Sequence, residues 1–316
     1  MDSGTLNILQ WHAADMIYAC RFGELPVFQL KVVGLKSNPN IFETDTLSPS
    51  PAPTPNKAIS HTYSLPCEDD TSCGVTIKNG YIHHIYSVYK HFYVDTSDSF
   101  DEYMERFKGK TLNSLKRKIK KVEKSNKSEQ SFETYKTIDD IDKFLEVAKS
   151  VSKKSYQEKL LGRDLPTDEK FRKKLYELAK ADAFRGYVLF AEDKPIAYNL
   201  CPIYGKGIML YDYTGYDPEF SRYSAGTVLQ YKIIEQCFSD NRISTYDLCT
   251  GEGKHKEFFA TDYKTCCDVF YFPFTPYYIV VVYFKVFVEN ISKLLVNILE
   301  RYGLKNKIKK IIRRFK

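Results

Sequence analysis

The segment 185–217, RGYVLFAEDKPIAYNLCPIYGKGIMLYDYTGYD, constrains the fold of this chain more than any other stretch. It contains three runs rich in apolar and aromatic residues, which the turn-forming residues 193–195 and 205–207 separate. Runs of this length joined by such short turns are typical of strands that pair with their neighbours in the chain. We therefore predict a three-stranded antiparallel meander.

Helices are predicted on both sides of the meander. Apolar residues recur every three or four positions in most of these segments, which indicates one buried face on each helix. The segments are 96–107, 110–127, 138–154, 171–182, 224–240 and 254–262. Further strands are predicted at 27–33, 81–89, 243–249 and 266–272. This mixture of strands and helices predicts a layered α/β (α+β) fold rather than a bundle or a repeat array.

A proline-rich stretch divides the N-terminal part of the chain. The sequence SPSPAPTP, residues 48–55, contains four alternating prolines, which neither a helix nor a central strand accommodates. We predict an exposed loop there. The expected organisation is an N-terminal segment 1–80 without an assigned fold, a core domain 81–275, and an amphipathic basic tail 276–316.

Charge and cysteine usage narrow the function classes only in part. The net charge of +7 is clustered in 108–127 and 305–316, and such segments suit nucleic acid, anionic lipid or a phosphate-rich ligand. The eight cysteines show no framework or zinc-site spacing, and the N-terminus lacks the pattern of a secretion signal. We expect free thiols in the cytoplasm and no metal site. The apolar run 277–288 is too short to span a membrane and is interrupted by Lys285.

The junction DPEFSRYSAGTVLQ, residues 217–230, is a candidate anion-binding site. A helix that begins directly after a strand presents free amides and the positive end of its dipole. Small side chains at its first turn let a pyrophosphate approach the backbone. The candidate cofactor-binding residues are Arg222, Tyr223, Ser224, Ala225, Gly226 and Thr227. The alternative is an ordinary capped helix.

The stretch YDLCTGEGKHKEFF, residues 246–259, is the second candidate. Asp247 ends a strand, Gly251 permits a tight turn, and His255 and Lys256 begin the next helix. A lysine is unfavourable at a helix start because the dipole prefers anions there, so its presence indicates function. The alternative is that the lysine is simply solvated and that Asp247 only accepts hydrogen bonds from turn amides.

The order of these motifs resembles the Gcn-five-related N-acetyltransferase (GNAT) superfamily, in its CelD/FemAB-like branch of exopolysaccharide and cell-wall synthesis. The resemblance covers roughly residues 85–272. Upstream, KRKIKKVEK (116–124) resembles the basic helix before the core of that branch. SKKSYQEK (152–159) resembles its serine-aromatic-lysine segment, with Tyr156 where tryptophan is common.

The resemblance implies a GNAT-like mixed, mostly antiparallel sheet flanked by helices. It also implies acetyl-CoA or another acyl-CoA as co-substrate, with the pyrophosphate bound at residues 222–227. Acyl transfer needs a neutral nucleophile, a stabilised oxyanion and a proton for the leaving group. We assign to Asp247 the holding or deprotonation of the acceptor amine and to Lys256 the stabilisation of negative charge. Tyr211 or Tyr213 would donate the proton to the leaving group, and Tyr213 is the catalytic residue that we favour. The expected substrate-binding residues are Tyr156, Tyr211, Gly251 and His255.

One departure from the family pattern leaves alternatives open. From Arg222, the spacing of the usual Arg/Gln-x-x-Gly-x-Gly/Ala signature falls on Ala225 and Thr227, with Gly226 between them. FemAB-like relatives use aminoacyl-tRNA, and the lysines of 116–121 would then contact RNA. A third alternative is a non-catalytic basic scaffold that binds a membrane or nucleic acid.

The function that we favour is acyl transfer, with acetyl as the expected group. The expected acceptor is an amino or hydroxy group of a sugar-linked precursor in polysaccharide or cell-envelope synthesis. We expect the protein in the cytoplasm, with the tail 291–316 able to contact the anionic inner face of the membrane. Nucleic acid is expected as a partner only under the aminoacyl-tRNA alternative.

Overall fold

The computed structural model describes residues 10–23, 25–44, 46, 49–52, 58–128, 130–155, 165–251 and 253–301. The chain divides into two compact units. The first comprises residues 1–90 together with 264–316, and the second comprises residues 91–263. The sequence-based division had its boundaries at 80/81 and 275/276. In the structure, the N-terminal segment and the C-terminal helix belong to the same unit.

Strands and helices alternate along the chain. The strands are β1 (His12–Phe22), β2 (Leu25–Ser37), β3 (Ser60–Pro66), β4 (Gly74–Lys78), β5 (Tyr81–Asp95), β6 (Phe132–Tyr135), β7 (Gly186–Ala191), β8 (Lys194–Leu200), β9 (Ile203–Tyr204), β10 (Ile208–Leu210), β11 (Tyr213–Tyr216), β12 (Thr245–Asp247) and β13 (Asp262–Pro273). The α-helices are α1 (Phe100–Glu105), α2 (Gly109–Glu123), α3 (Asp140–Ser152), α4 (Glu169–Lys180), α5 (Ala225–Ser239), α6 (Lys254–Phe259) and α7 (Pro276–Arg301). A 3₁₀ helix spans Pro218–Tyr223.

The predicted meander forms the centre of the second unit. Strands β11, β8, β7 and β6 lie side by side in that order, and all three pairings are antiparallel. The turn between β7 and β8 lies one residue earlier than predicted, at Glu192 and Asp193. Both residues have positive φ, 55° and 58°, as a tight two-residue hairpin of type I′ requires.

The third run of the meander is not one strand, and this break is the main difference from the prediction. Its first half, β10, pairs in parallel with β12. Its second half, β11, pairs antiparallel with β8. Tyr211 and Asp212 lie between the two halves. Because the halves pair with strands of different sheets, the sheet opens at these two residues.

Helices cover the sheets of the second unit. The inner face of α2 buries Leu115, Ile119 and Val122, as its apolar spacing predicted. On α3, Phe144 packs so closely on the sheet that a Cβ at Gly186 would lie 2.6 Å from its ring. Most strand pairs of the chain are antiparallel; β2–β3 and β10–β12 are parallel. The predicted mixed, mostly antiparallel sheet flanked by helices is therefore confirmed.

The first unit is built on a sheet whose strand order is β1-β2-β3-β13-β5, with β4 paired to β5. Helix α7 packs on it through Tyr278 and Val282, which join a buried cluster with Met16, Tyr18 and Val32. None of the described helices has the length and apolar character needed to span a bilayer.

Two buried histidines of the first unit predict that the free energy of unfolding falls in acid. Burial lowers the pKa of His61 to about 3 and that of His84 to about 4. Below about pH 6.5 the unfolded chain takes up protons at both histidines and the folded chain does not. The contribution of the two uncharged histidines to the free energy of unfolding is therefore complete above pH 6.5 and is lost as the pH falls. We expect a loss of roughly 2–3 kcal/mol per histidine by about pH 4.5, measured by urea unfolding.

The substitution His84→Gln tests the contribution of one site. Glutamine can keep a hydrogen bond to the Tyr18 hydroxyl, which lies 2.6 Å from the His84 Nδ1 atom. The variant should lose less stability than the wild type between pH 7.5 and 4.5. Equal losses in the two proteins would contradict the assignment.

Candidate active site

A cavity of about 1190 Å³ lies in the second unit where the sheet opens. Three parts of the chain line it: the strand break and β11, the beginning of α5, and the turn from β12 to α6. The lining residues include Tyr211, Asp212, Tyr213, Ser224, Ala225, Gly226, Thr227, Gln230, Cys249, Thr250, His255 and Lys256. Its volume is slightly above the usual range of about 300–1,000 Å³ for small-molecule and cofactor sites.

The first turn of α5 presents free backbone donors at the cavity wall. Ser224 precedes the helix in the left-handed conformation, with φ 54° and ψ 44°, and its side chain does not cap the helix. The amide of Thr227 donates to the Ser224 carbonyl over 2.9 Å. The amides of Ala225 and Gly226 have no acceptor among the described residues. A Cβ at Gly226 would meet no atom within 4 Å, so the approach to these amides is open.

Gln230 lies one turn further along α5 and was not identified from the sequence. It is 5% exposed and lines the cavity. Its side-chain amide can therefore hydrogen-bond to a ligand that fills the cavity. The sequence signal is a glutamine between the buried residues Leu229 and Ile233.

The strand break places an acid and two tyrosines in the cavity wall. The Asp212 side chain keeps contact with solvent. Partial burial nevertheless raises the pKa of its carboxyl, and the nearby charge of Lys174 partly offsets this rise. Burial and the neighbouring Asp212 raise the pKa of the Tyr213 hydroxyl, which therefore stays protonated. The Tyr211 hydroxyl donates to Thr214 Oγ1 over 3.2 Å. Asp212 was missed, although it interrupts the apolar run IMLYDYTG.

Lys256 is 9% exposed and its ammonium group holds the turn that precedes α6. The Nζ atom donates to the Cys249 carbonyl over 3.1 Å and to the Thr250 carbonyl over 2.7 Å. Burial lowers its pKa. Since an ammonium group has three N–H donors, one remains for a ligand in the cavity. Gly251 shapes this turn, with φ +95°, and is not part of the cavity lining.

Asp247 lies behind the same turn and does not line the cavity. It is 7% exposed, and its Oδ1 atom lies 2.6 Å from His91 Nε2. The same oxygen accepts a hydrogen bond from the Cys249 amide over 2.6 Å. Asp247 thus stabilises the turn by accepting a hydrogen bond from the amide of Cys249. This is the structural role that the sequence offered as the alternative to a catalytic one.

The other predicted site residues divide between the cavity and its surroundings. His255 lines the cavity and remains exposed to solvent, and the partial burial of its imidazole, together with Lys256, lowers its pKa. Arg222 and Tyr223 do not line it: the Arg222 Nη2 atom lies 2.5 Å from Glu192 Oε1, to which the Tyr223 hydroxyl also donates. Tyr156 lies outside the described residues.

Within the described ranges, no group of three or more histidine, cysteine, aspartate or glutamate side chains is arranged to hold a metal ion. The cavity thiol, Cys249, is not activated, because burial and the nearby Asp247 raise its pKa well above the usual range. The polar groups that line the cavity can transfer protons and form hydrogen bonds.

Comparison with protein families agrees with this geometry. Residues 109–264 match the model of a family described as "Acetyltransferase (GNAT) domain". These residues are similar to a GNAT domain over just under half of the chain. The resemblance to the GNAT superfamily, which the order of the motifs indicated, is thereby confirmed, and the matched range includes every lining residue of the cavity. No curated protein was found to be similar to the chain in sequence.

Several solved structures share part of the fold at low sequence identity. The C-terminal domain (DUF2156) of a putative lysylphosphatidylglycerol synthetase from Agrobacterium fabrum is 11% identical, with a TM-score of 0.48 and 84% of each chain covered. FemX is 9% identical, with a TM-score of 0.47, covering 86% of this chain and 90% of that one. L-PGS from Bacillus licheniformis is 13% identical, with a TM-score of 0.41, covering 76% and 73%. At these TM-scores the likenesses bear on neither substrate nor mechanism.

Proposed function

We propose that the second unit transfers an acyl group, with acetyl the first candidate, from acyl-CoA to an amino or hydroxy group of a sugar-linked acceptor. One observation carries the proposal. The sheet opens at Tyr211 and Asp212 into a cavity that brings the free amides of α5 together with His255 and Lys256. Anion-binding donors and proton-transfer groups in one cavity are what acyl transfer from a phosphate-bearing carrier needs.

The beginning of α5 fits the phosphate end of the donor. The free amides of Ala225 and Gly226 can donate to a pyrophosphate at the positive end of the helix dipole. The missing side chain at Gly226 leaves room for that approach. The Gln230 amide, which lines the cavity, fits the peptide-like groups of the carrier arm. Donor binding is thus assigned to Ala225, Gly226 and Gln230 rather than to the guanidinium of Arg222.

The residues around the reacting bond fit the three tasks of acyl transfer. When bound, the donor supplies an activated thioester carbonyl. His255 has a lowered pKa, so at neutral pH its uncharged imidazole can accept the proton of the acceptor amine. The third N–H of Lys256 can stabilise the developing oxyanion. Tyr213 is still protonated and can donate a proton to the leaving sulfur.

The acceptor side of the cavity is aromatic and acidic. Tyr198, Tyr211, Tyr213 and Tyr216 all line it, and their rings offer flat surfaces with hydroxyl groups that suit a sugar. The Asp212 carboxylate can hold the ammonium form of an amino sugar before it loses a proton. An amine-bearing sugar is therefore the first acceptor class to test.

The test of the function is acceptor-dependent release of free thiol from acetyl-CoA. The purified protein is mixed with acetyl-CoA and a panel of amino sugars and their neutral analogues. We expect thiol release with an amino sugar above the rate without acceptor. Release that no acceptor accelerates, with every donor chain length tried, would contradict the proposal.

The pH dependence of the transfer rate tests the role of His255. Because the imidazole must be uncharged, kcat/KM should fall on the acid side, with a midpoint below pH 6.5. His255→Gln should lower the rate by about 10²–10³-fold and remove this acid limb. His12→Gln, an exposed histidine of β1, is the matched control and should leave the profile unchanged. An acid limb that persists in His255→Gln and disappears in Asp212→Asn would assign the base to Asp212 instead.

A second candidate, transfer from aminoacyl-tRNA, is favoured by the exposed basic side of α2. Lys116, Arg117, Lys120 and Lys121 are exposed there, and Lys121 Nζ donates to the Arg222 carbonyl over 2.9 Å. The basic helix thus borders the beginning of α5. This candidate predicts that affinity for charged tRNA falls steeply with salt and is lost in Lys116→Glu/Lys120→Glu. A non-catalytic scaffold would show the same dependence of binding affinity on salt and on the α2 charges. It would release neither free thiol from acetyl-CoA nor tRNA from aminoacyl-tRNA.

A further inference from the structure

Helix α7 presents an apolar face to solvent. Its exposed apolar residues recur every three, four or seven positions, so they form one stripe over more than five turns. The stripe, which we term the outer face, consists of Tyr277, Val280, Phe284, Phe287, Leu294 and Ile298. Val280 is 68% exposed and Phe287 is 62% exposed. Single exposed apolar residues are ordinary, but a continuous stripe of this length indicates an interaction surface.

The inner side of the same helix contains polar residues. Lys285 is 6% exposed, and its Nζ atom donates to the Ala19 carbonyl over 2.7 Å and to the Glu289 carboxylate. Ser292 is also buried, and its hydroxyl accepts a hydrogen bond from the Gly23 amide over 2.8 Å. A helix whose outer side meets only water has the reverse arrangement, with charges outside. The distribution indicates that the outer face lies against an apolar medium.

A groove of about 350 Å³ extends the outer face onto strand β2. Phe28 and Leu30 of the strand line it together with Tyr277, Val280 and Phe284 of the helix. The rings of Phe28 and Phe284 stack with their centroids 6.1 Å apart. The apolar surface is therefore wider than one helix stripe.

The positions that flank the stripe argue against a coiled coil with a second copy of the chain. Such pairing uses charged residues beside the apolar seam. Here the flanking positions are Val281, Tyr283, Val288, Asn290 and Leu295. A broad apolar band with tyrosines and phenylalanines, but without charged flanks, suits a lipid surface better than a helix partner.

The sequence that follows α7 has the charge that complements an anionic surface. Residues 302–316 contain seven lysines and arginines and no acidic residue. An anionic bilayer attracts such cations close to its surface. We propose that the outer face of α7 docks in the interfacial region of an anionic lipid bilayer, with the helix parallel to the surface. The proposed contact thus adds residues 277–290 to the contact expected at 291–316.

Flotation of the full chain with lipid vesicles tests the proposal. Phosphatidylcholine vesicles with and without phosphatidylglycerol are mixed with wild type and with Val280→Ser/Phe287→Ser. Both side chains are exposed, so folding should not suffer. We expect the wild type to float with anionic vesicles and less with neutral ones. The double variant should partition onto anionic vesicles at least about tenfold less than the wild type.

The matched control is Ile17→Ser/Val33→Ser. These residues are 55% and 78% exposed, and they lie on the face of the β1–β2 hairpin opposite to Met16, Tyr18 and Val32, which pack towards α7. The control should float like the wild type. Equal flotation of both double variants would overturn the proposal, and so would a wild type that ignores anionic vesicles. A lipid-free dimer in sedimentation that Val280→Ser/Phe287→Ser abolishes would assign the face to a second copy and also overturn it.

Discussion

Gly226→Trp is expected to abolish binding of acetyl-CoA, with at least about a 100-fold loss of affinity. The indole would fill the open space beside the free amides of Ala225 and Gly226 and would block their approach to a pyrophosphate. Two hydrogen bonds to a charged group are worth about 1.5–3 kcal/mol each, which corresponds to this loss or more. Calorimetric titration of the purified protein with acetyl-CoA measures it.

Gly226→Ala is the matched control for that experiment. A Cβ at this position meets no atom within 4 Å, so the methyl group should leave donor binding nearly unchanged. It should also stabilise α5 slightly, by up to about 1 kcal/mol, because alanine favours a helix over glycine. If alanine and tryptophan weakened binding equally, or if neither did, the donor would not bind at the beginning of α5.

Lys256→Met is expected to lower kcat by about 10²–10³-fold with little change in the KM for the donor. The buried ammonium group of Lys256 is the donor that we assign to the oxyanion. Removal of one oxyanion-hole donor typically lowers kcat by about 10²–10³-fold. The substitution keeps the length of the side chain. Steady-state thiol release gives kcat and KM separately, which distinguishes a transition-state contribution from binding.

Two comparison variants separate this contribution from a structural one. Lys254→Met removes an exposed lysine from the same helix and should leave kcat unchanged. Asp247→Asn weakens the hydrogen bonds of the turn from behind, without removing a group from the cavity. If Lys256→Met and Asp247→Asn lowered the thermal midpoint and raised KM to the same extent, Lys256 would serve only to hold the turn.

The features that depend on neighbouring residues in the chain could be predicted from the sequence. The meander could be predicted because short turns force neighbouring runs to pair, and the beginning of α5 because a serine and small residues occur there. The strand end that was expected directly before α5 is separated from it by the 3₁₀ helix Pro218–Tyr223. His255, Lys256, Tyr211 and Tyr213 all line the cavity. Each of these inferences depends on residues that are close together in the chain.

The remaining parts depend on contacts between distant segments, which spacing does not reveal. The strand break at Tyr211 and Asp212 exists because β10 pairs with β12, whereas β11 pairs with β8. The same pairing decides that Asp212 lines the cavity and that Asp247 lies behind the turn with His91. Arg222 was expected at the phosphates because of its charge, but Glu192 of the hairpin turn holds its guanidinium. Gln230 becomes conspicuous only once the cavity around it is known.

A crystal structure of the protein with coenzyme A would show directly whether the donor binds at the beginning of α5. We expect pyrophosphate oxygens within hydrogen-bond distance of the amides of Ala225 and Gly226. We also expect the sulfur to lie in the cavity between Tyr213 and Lys256. Coenzyme A bound elsewhere on the chain, or a cavity that stays empty at saturating concentration, would contradict these expectations.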